Sequence, residues 1–342
     1  NEKNIVTTHS LIQKMDLDML ELLKSKDYVL IIDECLDVLD TYKITKDDMK
    51  IIFEQKLVSL DDKGFLIWND DKKYKGVFGD IKRFKSLMGF KKEDSEELAR
   101  IIMWNFPVDF FKCFEESYIF TYLWEGSIQK SYFDIHGIHY EKYMLDYDRK
   151  LIKHNQELEY EKRRKVVDLI NIYEGKFNKI GTKIGKTNPL SKSWYEDKRK
   201  NDKDALEQLR LNTENFFRSY TKTNSEDNMY TTFEPYCEYI KGKGYAKGFL
   251  PCVAKCATEK YENKKSLAYL VNYFLPVEIR EIVNQIFVDF DVDMCTLRYL
   301  LKWIEKSQIY NGKPIDIYIP SERMRNLLIG WIKECKIKGE LR

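Results

Sequence analysis

The chain has 342 residues, more than twice the roughly 150 of a typical domain, so two packed domains are expected. Hydrophobic residues at 43% and aromatics at 14% supply apolar surface enough to offset chain entropy, which excludes a disordered polymer. Lys and Arg total 58 against 56 Asp and Glu, a net charge of +2, so a wholly basic coat protein is excluded and any nucleic-acid site must be a local patch.

At the start, Asn4-Ile-Val-Thr-Thr-His-Ser10 has the pattern of a strand running into a loop, and an opening Asn with no preceding cap leads to the expectation that the natural chain begins further upstream. A Leu-rich helix is predicted over Met15–Ser25. Tyr28-Val-Leu-Ile-Ile32 is a continuous apolar run that ends in Asp33-Glu34, as expected of a buried parallel strand with acids at its carboxyl end. That edge of an α/β sheet is where ligands bind. Asp33 there can hold the water shell of a Mg²⁺, and Glu34 can orient or deprotonate an attacking water. An acidic helix cap has the same local sequence, so the pair needs context.

Thr45 with Asp48 predicts a capped helix through about Gln55, and Gly64–Trp68 and Tyr74–Phe78 predict short strands or an insertion. Phe106–Phe114 is aromatic at helical spacing and reads as a core face. Ser117–Trp124 is a second apolar strand, and its interior Thr121 is either satisfied by backbone or presented to a ligand at the strand end. One more strand is predicted at Ile138–Leu145, and the charged stretch Asp146–Lys165 at a linker or solvated helix. The domains are accordingly placed at 1–148 and 149–342.

Gly181-Thr-Lys-Ile-Gly185-Lys186-Thr187 imitates a phosphate loop but has three residues between its glycines where four are required, and it runs into Asn188-Pro189 instead of an apolar helix. It is read as a connection, and a genuine phosphate cradle is expected upstream of Asn1. The second half alternates helix and strand: helix at Asp202–Tyr220, strands at Gly248–Cys252 and Leu267–Phe274, helices at Val277–Phe287 and through Trp303, strand at Pro314–Ile319, helix from Ser321. Lys241–Lys247 and Lys260–Lys265 are basic stretches compatible with phosphate contacts or with solvated loops.

Seven cysteines form no CxxC pair and are odd in number, which suits a reducing cytoplasm better than a disulfide framework, and four His do not assemble a zinc site. The longest apolar runs fall far short of the roughly 20 residues of a membrane span, so no membrane segment is expected.

The ordered set Thr7-Thr-His-Ser10, Leu30-Ile-Ile-Asp-Glu34, Phe120-Thr-Tyr-Leu123, Gly248-Phe-Leu-Pro-Cys252, Leu267-Ala-Tyr-Leu-Val-Asn272 and Ile317-Tyr-Ile-Pro-Ser-Glu-Arg-Met-Arg325 resembles phage-encoded DEAD/DEAH-like helicases of superfamily two, over nearly the whole chain. The resemblance implies an α/β fold of two RecA-like P-loop NTPase domains, each a mostly parallel sheet flanked by helices. It implies ATP and Mg²⁺ as cofactors, single-stranded or partly duplex nucleic acid as partner, DNA favoured, and the bacterial host cytoplasm as location. In it Thr7, Thr8, His9 and Ser10 match a strand-gripping motif, Asp33 and Glu34 the Walker B acids, and Thr121 and Tyr122 the motif that couples hydrolysis to movement. Lys255 and Thr258 fall in a loop that contacts nucleic acid. Where such proteins carry γ-phosphate-reaching arginines, this chain has Lys306 and Tyr310. A lysine lacks the forked guanidinium, and loss of an arginine finger costs on the order of 10³-fold in turnover or more. Arg323 and Arg325 could substitute if the last helix faced the cleft, but at alternate helix positions they are expected to be surface residues. Two other functions compete with the helicase: a nucleic-acid-binding scaffold without catalysis, and a DNA-packaging motor.

Overall fold

The computed structural model describes residues 3–12, 15, 17–42, 45–60, 66–69, 87–90, 101–253, 259–287 and 289–340. Two units emerge, Asn1–His139 with Leu275–Val292, and Tyr140–Phe274 with Asp293–Arg342. The helix Val277–Ile286, assigned from sequence to the second domain, therefore belongs to the first: its Val283 and Phe287 enter the same core as Leu36, Val38 and Leu39.

In the first unit the apolar run becomes β1 (Val29–Asp33). Further strands are β2 (Leu39–Tyr42), β3 (Val58–Leu60), β4 (Leu66–Trp68), β5 (Leu87–Phe90), β6 (Ile101–Asn105) and β7 (Glu116–Phe120). β1 pairs in parallel with β7, Asp33 opposite Phe120. β2-β6-β5 and the β3-β4 hairpin are antiparallel, so the expectation of a mostly parallel sheet in both domains describes only the second unit. Thr45 caps the helix Lys46–Glu54 as its sequence predicts, accepting from the Asp48 N–H at 3.1 Å. The Phe106–Phe114 segment forms a 3-10 turn over Val108–Cys113, and edge-to-face contacts among Phe106, Phe110, Phe111, Phe114 and Phe133 make it core. Asn4–Thr8 is not a strand: it is irregular, with Ile5 and Val6 exposed. The predicted strand at Tyr74–Phe78 lies outside the described residues.

The second unit opens with a hairpin, β8 (Tyr143–Leu145) and β9 (Leu151–Lys153), followed by the helix Gln156–Val167 capped by Asn155, so of the linker or solvated helix expected over Asp146–Lys165 the helix is what forms. Its charges pair along the helix, as in Arg163–Glu159 and Lys165–Glu161, so a charge-rich sequence still forms regular structure. β10 (Ile170–Ile172), β11 (Asn228–Thr231), β12 (Ser266–Tyr269) and β13 (Ile315–Tyr318) then form a parallel sheet in the order β10-β13-β12-β11. Periodicity missed β10 and β11, whose Asn228, Thr231 and Asn171 mask the apolar run.

Every residue of β11 and β12 is buried. One face meets the helices Lys192–Asn201 and Lys203–Asn215 through Tyr195, Leu206 and Leu209, with Phe216 of the following π-helical turn, and the other meets Trp303 edge-on at Tyr269. The predicted strand Gly248–Cys252 reduces to a single parallel bridge between Phe249 and Tyr230. Gly248 lies so close to β11 that a Cβ would sit 2.1 Å from the Asn228 carbonyl oxygen. Gly181 of the phosphate-loop lookalike has a similar duty, a Cβ there falling 2.0 Å from the Pro320 oxygen, and Gly185 turns at φ +62°. Both glycines thus serve packing and turning.

Candidate functional site

The carboxyl edge of β1 carries the acidic pair. Asp33 ends the strand and is exposed, and Glu34 leaves it in the left-handed region at φ 72°, a conformation that costs about 1 kcal/mol for a residue with a Cβ. Two bonds hold the Glu34 turn against the end of β7. Its N–H donates to the Phe120 carbonyl at 2.8 Å, and the Thr121 hydroxyl donates to Glu34 Oε2 at 3.2 Å. The Thr121 hydroxyl is therefore engaged by the Glu34 side chain, a partner that neither backbone satisfaction nor presentation to a ligand anticipated.

Neighbouring groups extend this arrangement. The Cys35 thiol donates to Thr121 Oγ1 at 3.3 Å, and the Leu36 N–H donates to Gln129 Oε1 at 2.9 Å. Gln129 is buried on the helix Ile128–Ile135, which Ser127 caps by accepting from the Lys130 N–H. Leu123, at φ 50°, makes the reversal that leads from β7 into that helix. The residues on both sides of the edge, 33–36 and 120–129, are thus tied by four hydrogen bonds. Sequence reasoning missed Gln129 and Cys35. The only available signal was a polar residue on the same helical face as Tyr132 and Phe133.

Thr8 caps the four-residue helix His9–Ile12, accepting from the Leu11 N–H at 3.3 Å, with Ser10 exposed and Thr7 and His9 half-buried. Tyr122 is half-buried beside Thr121. Lys306 directly follows the helix Val292–Glu305 of the second unit, and that helix carries a buried arginine, Arg298. Lys255 and Thr258 lie outside the described residues.

Arg323 and Arg325 are not the surface residues expected. Arg323 donates to the Tyr273 carbonyl at 2.9 Å and to Asp293 Oδ1 at 2.6 Å, and its guanidinium lies 4.5 Å from the centre of the Phe274 ring. Arg325 donates to the Ile319 and Pro320 carbonyls at 2.8 and 3.0 Å, and burial pushes its guanidinium down from the ordinary value. Both fasten the start of the last helix to the carboxyl edge of the β12-β13 sheet.

Asp33 and Glu34 offer hard oxygen donors, which suits Mg²⁺ held through its waters. Among the described residues no three His, Cys, Asp or Glu side chains converge as a metal cluster. Nor is any helix among them long and apolar enough to cross a membrane.

Residues 164–332 match the model of the YonV C-terminal Rossmann-like domain, the span that contains the β10-β13-β12-β11 sheet, and residues 39–104 match the YonV middle domain. The chain is 35% identical over 342 residues to the SPbeta prophage-derived uncharacterized protein YonV of Bacillus subtilis (strain 168), in a match that covers 97% of this chain and 80% of that protein. No solved structure matches.

Proposed function

The chain belongs to the YonV family, and on that premise we propose that it is the greater part of an ATP-dependent nucleic-acid helicase or translocase of phage type, with Asp33 and Glu34 as its hydrolytic acids. The observation that carries this proposal is the Thr121 hydroxyl on the Glu34 carboxylate at the carboxyl edge of a parallel strand pair. An acidic helix cap would spend its carboxylate on backbone N–H groups of a following helix. Glu34 instead receives a side-chain hydroxyl from the neighbouring strand, and Asp33 is left facing solvent.

In this proposal Asp33 holds the water shell of Mg²⁺, and Glu34 orients and accepts the proton of the attacking water. Bound ATP and its metal supply the phosphoryl group and the charge that offsets its negative oxygens. Thr121 senses the state of Glu34 and passes it through the 120–129 segment, with Tyr122 beside it. Thr7, Thr8, His9, Ser10, Lys255 and Thr258 are proposed to contact the nucleic acid, and Lys306 to stand in for an arginine. The phosphate cradle would come from chain beyond these residues. Two RecA-like domains are the finer form of the α/β fold that this function calls for.

The engagement of Arg323 and Arg325 within the second unit favours a second proposal, a RecA-like nucleic-acid-binding scaffold that does not hydrolyse ATP. Glu34→Gln in the complete polypeptide separates the two. A motor loses about 10²–10⁴-fold of its nucleic-acid-stimulated ATP hydrolysis, as expected for removal of a general base, while keeping nucleic-acid binding. A scaffold shows no stimulated hydrolysis before or after the change, and its nucleic-acid binding survives removal of Mg²⁺.

A further inference from the structure

The connection from β10 to the helix Lys192–Asn201, which contains the phosphate-loop lookalike, carries charge of one sign. Between Glu174 and Glu196 the sequence has Lys176, Lys179, Lys183, Lys186 and Lys192 and no acid. All five lysines are exposed, and among the described residues none of them has an ion-pair partner. Elsewhere in the second unit basic side chains stand beside acids, as in Lys198–Asp202, Lys200–Glu196 and Lys338–Glu334. The acids nearest the loop are engaged otherwise. Glu322 accepts the Lys183 backbone N–H at 3.2 Å, the charge of Glu174 acts on Arg325, and Glu196 takes Arg199 and Lys200.

The loop is also anchored along the carboxyl edge of the sheet. Asn178 Nδ2 donates to the Tyr173 carbonyl after β10 at 3.0 Å, and the Tyr318 hydroxyl of β13 donates to the Phe177 carbonyl at 2.8 Å. Beyond β12, the Asn272 N–H and Nδ2 donate to the Leu190 and Pro189 carbonyls at 2.8 and 3.1 Å. A long connection with so little regular structure is uncommon in a compact domain without a task of its own, and a loop that only solvates the surface needs no anchors to three strands. Lysines held together without acids repel one another, and a polyanion that neutralises them removes that cost and releases its own counterions. Ile184, 77% exposed beside Lys183, adds an apolar contact that suits unpaired bases, whose faces a duplex would hide.

We infer that the 175–193 loop is a contact surface for the backbone of single-stranded nucleic acid, with Lys179, Lys183 and Lys186 on phosphates and Ile184 against a base. The inference rests on the nucleic-acid partner common to the motor and the scaffold, and it is independent of ATP hydrolysis at Asp33 and Glu34.

Binding of a fluorescein-labelled oligothymidylate of about 20 nucleotides to the complete polypeptide, followed by anisotropy over a salt series without ATP or Mg²⁺, tests it. Lys179→Gln, Lys183→Gln and Lys186→Gln together are expected to make the log–log salt slope shallower by about 2, since each phosphate contact on a single strand contributes about 0.7. Affinity at about 0.1 M salt is expected to fall by roughly tenfold or more. Arg at the same three positions keeps the charge and is expected to hold slope and affinity at the wild-type level. Gln at the ion-paired Lys165, Lys200 and Lys336 removes equal charge and is expected to move the slope by less than about 0.5. Equal slopes for wild type and loop variant, with binding intact, overturn this inference and leave the nucleic-acid partner standing. A wild type that binds no oligonucleotide at low salt overturns both. An effect of equal size in the ion-paired variant also overturns the inference, because net charge alone would then account for binding.

Discussion

The two parallel sheets of this molecule are built from similar apolar runs and end in opposite conditions. β12, Ser266-Leu-Ala-Tyr269, is buried at every position between β11 and β13, with helices from one side and Trp303 from the other. β1, Val29-Leu-Ile-Ile-Asp33, is more apolar in sequence yet buries only Ile32 fully. Apolar content is therefore a poor guide to burial. What decides is how many partners the strand acquires: among the described residues β1 pairs with β7 alone, and β12 with both β11 and β13.

The sharpest way to break this comparison is to truncate equivalent positions. Leu267→Ala in β12 removes a fully buried side chain and is expected to cost about 3 kcal/mol, whereas Ile31→Ala in β1, at 67% exposure, is expected to stay within about 0.5 kcal/mol. Denaturant melts followed by hydrogen exchange in each unit would check both, because two units need not unfold together. Comparable losses at the two positions would mean that β1 is covered after all.

Arg323→Ala should come next, at about 2 kcal/mol and confined to the second unit, since it strips partners from the Tyr273 carbonyl and Asp293. Arg323→Lys should recover only part of that, for lysine cannot lie as a plane on Phe274 while donating in two directions. A larger loss of nucleic-acid-stimulated hydrolysis than of stability would instead place Arg323 in the motor. In the first unit, Thr45→Ala removes a helix cap and should cost about 1 kcal/mol in the same melts.

The smallest effect is a pH slope. Arg199, Lys200 and Tyr236 donate to the Glu196 carboxylate and hold it down to about 2 from the ordinary 4.5. A depressed carboxylate stabilises the folded state above its unfolded value, and that contribution drains away as pH falls from about 4.5 towards 2. Acid melts of Glu196→Gln should show a shallower slope over that window in the second unit, with the first unit unchanged.

Several local features were legible in the sequence for simple reasons. The Thr45 cap, the Ser321 start of the last helix and the acids at the end of β1 depend on residues within four positions of one another, where backbone geometry leaves few options. The Gly181–Thr187 lookalike could be rejected by counting, because a phosphate loop tolerates no change of spacing. By contrast, β11 was hidden, since a strand buried at every position can carry Asn and Thr and then lacks a period, and β10, three residues long, is too short to display one. Gln129 was illegible for a related cause: its partner is the Leu36 backbone, 93 residues away.

By itself the sequence determined the α/β composition of the chain, the caps of its helices and the chemistry available at Asp33 and Glu34. These depend on residue type and short spacing, which folding does not alter. Only the tertiary structure decided that Thr121 would meet Glu34, that Arg323 would bind Tyr273 and Asp293, and that one apolar strand would be enclosed and the other half bare. Each of those outcomes depends on which distant segments become neighbours, and adjacency in space is set by pairing and packing across the whole unit.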